Sequence, residues 1–248
     1  MPLSYFSHLF GHEGENSLLS YLKKEGLAME LCAGDDHELD VFSDFYVDIT
    51  LTKKGLAEYT RVIDLTFAYA KRLNEVGPAE FVYEESKIIG QINFDFAAKG
   101  DSLQYCVSNA KTMISFKNDE DMAHLLRKKY GPQQFDKERT KEIAGLMASS
   151  ENTLIFLSSK SFEGENMEKE RWYNVPWMKE KYSTERIAAM KDTSAPDKST
   201  NGLKLDLPPA NDLLPKNFDI LPNDPEQSAK PIRVIESDLV DLWYKKDD

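Results

Sequence analysis

His8 and His12 stand four residues apart with Glu13 beside them, so on a helix the two imidazoles would share a face and invite a zinc reading. A metallopeptidase centre also needs a third ligand and a carboxylate placed to take a proton from the metal-bound water. In the H-E-x-x-H and H-x-x-E-H arrangements that carboxylate lies between the histidines. Here Leu9, Phe10 and Gly11 lie between them and supply neither function, while Gly11 and Gly14 argue for a loop. The other histidines, His37 and His124, have no partner at ligand spacing. Cys32 sits in an apolar stretch and reads as a buried structural thiol rather than a nucleophile. No G-x-S-x-G, P-loop or G-x-G-x-x-G occurs, so there is neither a nucleophile elbow nor a phosphate cradle. The residues of this chain do not assemble a complete catalytic apparatus.

What must position these groups is a chain of 248 residues with 43 Asp and Glu against 31 Lys and Arg, a net charge of −12. A negative surface argues against nucleic acid and anionic lipid as partners, because both reward a basic face. With 41% apolar residues there is material for a core without a disulfide scaffold. No apolar run approaches a membrane span, and the first residues do not read as a secretory signal. Two cysteines, Cys32 and Cys106, in no CxxC pattern fit a reducing, cytoplasmic setting.

Asn16 is placed to cap a short helix carrying Leu18, Leu19 and Leu22, with Gly26 as its stop. Residues 27–33 and 41–51 read as strands, the second with Phe45, Val47, Ile49 and Leu51 alternating against Asp44, Tyr46, Asp48 and Thr50. The acidic link 34–38 makes the pair a hairpin with a longish loop. From Lys53 the period becomes helical through Leu73, and Gly77-Pro78 breaks the helix, with Pro78 suited to the first turn of a second that ends near Gly100. Three shorter helices are expected over 103–113, 119–130 (capped by Asn118, stopped by Gly131-Pro132) and 135–147, then a buried strand over 153–157. Pro196 to Pro231 hold seven of the eleven prolines, which excludes helix and central sheet. This stretch reads as an extended strap whose Leu203, Leu205, Leu207, Leu213, Leu214, Phe218 and Ile220 dock on other surfaces. Residues 241–245 read as a short closing strand. The expected division is a domain over 1–195 and a strap with terminal strand over 196–248. The fold class is α+β, a two-layer sandwich of a mainly antiparallel sheet with helices on one face.

Several spaced motifs carry a resemblance. Residues 7–14 (SHLFGHEG) with 17–23 (SLLSYLK), 45–52 (FYVDITLT), 159–164 (SKSFEG) with Trp172-Tyr173, 207–211 (LPPAN) through 215–218 (PKNF), and 242–248 (LWYKKDD) together span nearly the whole chain. This set resembles the second homologous domain, and the strap toward the third, of insulin-degrading-enzyme-like metallopeptidases, the pitrilysin-type inverzincins. The resemblance implies a four-domain zinc endopeptidase whose H-x-x-E-H ligands and base lie in another domain. This chain would then be a middle piece, without cofactor of its own, inactive alone, and lacking the first strand of its sheet.

The resemblance further implies that this domain holds the amino terminus of a peptide substrate at an exosite. The matching positions are His8, Gly11 and Glu13 on the glycine-rich loop, and Leu31, Ala33 and Asp35 on and after the short strand. Physical chemistry supports such a role: an unpaired strand edge can accept a peptide strand, and Glu13 offers negative charge to an α-ammonium. Ala33 stands where the family usually has Gly, Asp35 where it has Gln, Ser7 where it has Gly, and Leu27 where it has an aromatic. Expected partners are peptide substrates, the catalytic domain and the carboxy-terminal half. An uncovered sheet edge would also favour marginal stability and self-association. The alternative is a stand-alone peptide-binding or assembly module of the same fold.

Overall fold

The computed structural model describes residues 2–38, 42–114, 116, 122–130, 134–162, 167–192, 204–219 and 230–245. Two compact units emerge, Met1–Asp212 and Leu213–Asp248.

In the first unit, α1 spans Pro2–Phe10 and α2 spans Leu18–Lys24. Tyr5, Phe6, Leu9 and Phe10 form the buried stripe of α1, and that burial carries the helix through His8, where a loop was expected. The loop begins at Gly11, whose N–H closes on Ser7 O at 2.9 Å. The cap of α2 is Ser17, not Asn16: the Ser17 hydroxyl accepts from Ser20 N at 3.2 Å, while Asn16 turns the chain at φ 67°. Gly26 does stop α2, at φ 69°, with Gly26 N donating to Lys23 O and Leu27 N to Leu22 O, the paired bonds of a Schellman ending.

Strands β1 (Ala28–Glu38) and β2 (Ser43–Leu51) form an antiparallel hairpin. The expected loop 34–38 is therefore strand, because β2 continues the ladder as far as Glu38↔Ser43. Leu31 faces Ile49, Ala33 faces Val47 and Asp35 faces Phe45. Leu31, Ala33, Phe45, Val47, Ile49 and Leu51 pack on the helical core, while Asp44, Tyr46, Asp48 and Thr50 face out as their alternation predicts. Val41, the expected first residue of β2, lies outside the described residues.

The helix expected from Lys53 is two, α3 (Lys53–Ala57) and α4 (Tyr59–Val76), bent at Glu58. The bend follows from how α3 is fastened. Thr52 Oγ1 accepts from Gly55 N at 2.9 Å and donates to Gly26 O at 2.7 Å, while Thr52 N donates to Leu27 O at 3.0 Å. A Cβ on Gly55 would lie 1.8 Å from Leu27 O, so α3 rests directly on the end of α2. Beyond the bend, α4 buries Val62, Leu65, Ala68, Tyr69 and Leu73, and Tyr69 OH donates to Leu9 O at 3.1 Å.

Helix α5 covers Glu80–Asp95, with Pro78 outside it and Ala79 as its cap residue. Ala79 N donates to Tyr5 OH at 2.9 Å. The helix ends five residues before Gly100, and Ile88 on it and Phe96 just after it are exposed. Helix α6 (Ser102–Ile114) buries no residue. Residues 122–130 form turns and a 3-10 segment, Lys128–Tyr130, where a full helix was expected; its expected cap and stop lie outside the described residues. Helix α7 (Lys137–Met147) is capped by Asp136, which accepts from Arg139 N at 2.9 Å, and buries Thr140 and Ala144.

Residues 153–157 are not a buried strand: they form no regular element, with Leu154 70% and Phe156 84% exposed. A strand requires a ladder partner, and none of the described strands pairs with this run. A small hairpin, β3 (Glu168–Lys169) with β4 (Pro176–Trp177), and an unanticipated helix, α8 (Thr184–Asp192), follow. Arg186 of α8 donates to Asp64 and to Thr60 O on α4, and Met190 is buried.

The strap docks in part: Leu205 and Leu207 pack on the core, whereas Leu213 and Phe218, also expected to dock, are exposed. Leu205 and Pro208 are buried, Asp206 N donates to Asn16 O at 3.0 Å, and Arg72 donates to both Asp206 oxygens at 3.2 Å. Asn211 N donates to Glu85 Oε1 at 2.7 Å. Leu203 and Ile220 lie outside the described residues.

The second unit contains the hairpin β5 (Ile232–Glu236) with β6 (Asp241–Tyr244), the latter being the expected closing strand. Arg233 grips Asp241 with two bonds of 2.6 Å across it. No helix among the described residues is long and apolar enough to cross a membrane. The helices and antiparallel hairpins give the α+β class expected, with the helices of the first unit on one face of its larger hairpin.

Candidate functional site

Among the described strands β1 pairs only with β2, and none lies along its other edge. Beside its first half lies a surface cleft of about 540 Å³, walled by Met29, Glu30, Leu31 and Cys32 of β1 and by Asp48 and Thr50 of β2. Glu13, Leu19 and Lys23 complete the wall. The local sequence explains this juxtaposition. The extra residue Met29 breaks the register between Ala28 and Glu30, and the register Glu30↔Thr50 and Cys32↔Asp48 gathers polar groups on the outer face. The Gly11–Ser17 turn then delivers Glu13 alongside α2, where Lys23 in the last turn faces it at 3.4 Å.

The cleft therefore combines three carboxylates, Glu13, Glu30 and Asp48, with one ammonium, Lys23. Leu19, Met29 and Leu31 add apolar residues to the lining. Such a lining suits a polypeptide carrying positive charge at one end.

Of the six expected site residues, the structure brings Glu13 and Leu31 together in this cleft. His8 lies half-buried on α1, its ring edge-on to His12 with centroids 5.7 Å apart. Gly11 ends α1, where a Cβ would stand 2.8 Å from Ser7 O. Ala33 turns to the core, and Asp35 is exposed further along β1. None of these four is in the cleft wall.

The histidine pair does not fit a metal. His12 Nδ1 accepts from Gly14 N at 2.9 Å, so one ligating nitrogen is already engaged, and no group of three His, Cys, Asp or Glu suited to an ion occurs among the described residues. Burial lowers the pKa of His8, with the neighbouring His12 adding to the effect and Glu85 opposing it. Burial also lowers that of His12, opposed by Glu85 and Glu13. Both imidazoles are thus held toward the neutral form.

Leu19, Lys23, Met29, Glu30, Cys32, Asp48 and Thr50 line the cleft without having been expected in the site. Cys32 is exposed rather than buried, because the strand's alternation puts it on the outer face opposite Asp48, with its sulfur 3.7 Å from Tyr46 OH. The signal was present in the alternation of β2, but the register that aligns β1 with it was needed to use it.

Comparison with known proteins places these elements. Residues 1–89 match the family model described as the peptidase M16 inactive domain, and residues 94–248 match that of the middle or third domain of peptidase M16. Insulin-degrading enzyme of Homo sapiens is 30% identical over 247 residues, which cover 100% of this chain and 23% of that protein. The A-factor-processing enzyme of Saccharomyces cerevisiae is 33% identical over 256 residues, covering 100% and 23%. A nardilysin-like protein of Arabidopsis thaliana is 29% identical over 255 residues, covering 100% and 24%. The chain spans about a quarter of the length of these relatives. The crystal structure of pitrilysin superposes with a TM-score of 0.77 at 22% identity, over 98% of this chain and 25% of that one, and so shares its fold. Both family models fall within one family, and together they account for nearly every residue: the chain belongs to the peptidase M16 family, its first 89 residues corresponding to the inactive domain.

Proposed function

We propose that this chain is the substrate-holding part of a zinc-dependent M16 endopeptidase, working with a catalytic domain and a carboxy-terminal half supplied by the rest of a longer enzyme. The observation that carries this reading is the acidic cleft beside β1, lined by both Glu13 and Leu31, on a strand that pairs only with β2 among the described strands. A peptide would add as a strand along residues 27–33, exchanging main-chain hydrogen bonds, while its α-ammonium sits at the Glu13 carboxylate. Binding led by the backbone tolerates varied side chains, which suits a peptidase acting on many short peptides. His8, Gly11, Ala33 and Asp35 are proposed to shape the loop and strand that present this edge. Zinc would belong to the catalytic domain, and the two unpaired cysteines fit a reducing cytoplasm.

A second reading has one observation in its favour. Leu154, Phe156, Trp172 and Tyr173 are 70–85% exposed, and large apolar groups left this open fit an assembly surface. Titration of the chain with a short fluorescent peptide separates the two. The exosite reading expects saturable binding, weakened severalfold by Glu13→Gln and by N-acetylation of the peptide. Self-associating chain indifferent to peptide would favour the assembly module, and indifference to acetylation alone would refute the ammonium–carboxylate contact.

A further inference from the structure

Lys23 is the one ammonium in the cleft wall, and it faces the carboxylate proposed to receive the peptide's amino terminus. Its setting is particular. It sits in the last turn of α2, where the helix carbonyls favour a cation. The ion pair with Glu13 is 3.4 Å long, with the two side chains 45% and 70% exposed, so it is loose, solvated and readily exchanged. The neighbouring carboxylates, Glu30 and Asp48, lie on the strands rather than on the loop.

We propose that Lys23 is an internal competitor for the peptide's α-ammonium, a specificity-setting residue that occupies Glu13 in the empty cleft and must be displaced for an amino terminus to bind. This rests on the exosite reading above and adds a cost that falls only on ligands using Glu13. An acetylated peptide, which has no ammonium to place there, does not have to move Lys23. Lys23 therefore compresses the difference between free and blocked amino termini. Removing its charge widens that difference.

The experiment measures dissociation constants of one short peptide, with free and with acetylated amino terminus, for the unmodified chain, Lys23→Met, Lys23→Arg and Lys23→Met combined with Glu13→Gln. Met keeps the aliphatic stem at this exposed position, and circular dichroism with a thermal melt checks that each variant folds. Lys23→Met should tighten the free peptide by roughly two- to fivefold, the range an exposed ion pair can move an equilibrium. The acetylated peptide should be unchanged, Lys23→Arg should behave as the unmodified chain, and the gain should vanish in the double variant. The gain should also shrink as salt rises from 50 to 500 mM through screening, about a fall in Debye length from 14 to 4 Å. Weaker or unchanged binding of the free peptide by Lys23→Met overturns the proposal, as does equal tightening of both peptides. If acetylation is without effect on the unmodified chain, the exosite reading itself fails; if acetylation weakens binding but Lys23→Met does not strengthen it, only the competitor role fails.

Discussion

Residues 2–92 and residues 102–182 of the first unit both carry many apolar residues but use them in opposite ways. The earlier stretch closes a core: Phe6, Leu9, Leu18, Leu19, Leu22, Leu27, Tyr69 and Val82 are all at most 1% exposed. In the later stretch α6 buries nothing, and Leu103, Leu154, Phe156, Trp172 and Tyr173 are 70–85% exposed. Both carry the patterns that sequence reading takes as signs of burial. The difference lies in partners. The stripe of α1 meets α4 and the inner face of the hairpin, whereas α6 and the 153–157 run have no comparable neighbour among the described residues. Periodicity says which face is apolar, and only tertiary contact says whether that face is covered.

The largest test of this contrast pairs Leu22→Ala with Leu154→Ala. Truncating Leu22, fully buried, should cost about 2–5 kcal/mol in urea unfolding. Truncating Leu154, 70% exposed, should change stability by no more than about 0.5 kcal/mol. Similar losses at both positions would mean that the later stretch has a core of its own.

Gly55→Ala sharpens the same comparison at the backbone. The added methyl would fall on Leu27 O, forcing α3 off the end of α2, so a loss of about 1–3 kcal/mol is expected. Gly100, with nothing within 4 Å of its Cβ position, is the matched control and should tolerate alanine. Loss of peptide binding by Gly55→Ala beyond its loss of stability would show that this junction also holds the cleft in shape.

The smallest effect is pH dependence. Burial depresses the pKa of His8 and His12, so the unfolded chain binds protons that the folded chain resists. Their contribution to stability is complete above the ordinary imidazole pKa of about 6.5 and declines as pH falls through the lowered folded values. Urea midpoints measured from pH 7.5 down to 5.5 should therefore decrease, and His12→Asn should flatten the slope. Protonation of His12 would also remove the acceptor for Gly14 N. A midpoint that rises on acidification would contradict this account.

Much of the fold is legible from the residues. The stripe of α2, its stop at Gly26, the alternation of β2 and the break at Gly77 depend on local rules: period, caps and positive φ. What escaped depends on pairing. The length of β1 is decided by β2, the division between α3 and α4 by Thr52 and Gly55 against Leu27, and the exposure of 153–157 by the lack of a paired strand. The candidate cleft divides the same way. Glu13 and Leu31 come from motif resemblance, whereas Lys23, Glu30, Cys32 and Asp48 appear only once the register and the turn bring them into one wall.

The clasp of Arg72 on Asp206 joins residues 134 positions apart. During translation at about 5–20 residues per second, α4 would leave the ribosome roughly 7–27 seconds before the carboxylate that closes over it. Asn16 O, the acceptor for the same residue's backbone, waits longer still. The loop presenting Glu13 is thus synthesised well before the segment that fastens its end, which makes it a natural point for chaperone engagement on the nascent chain.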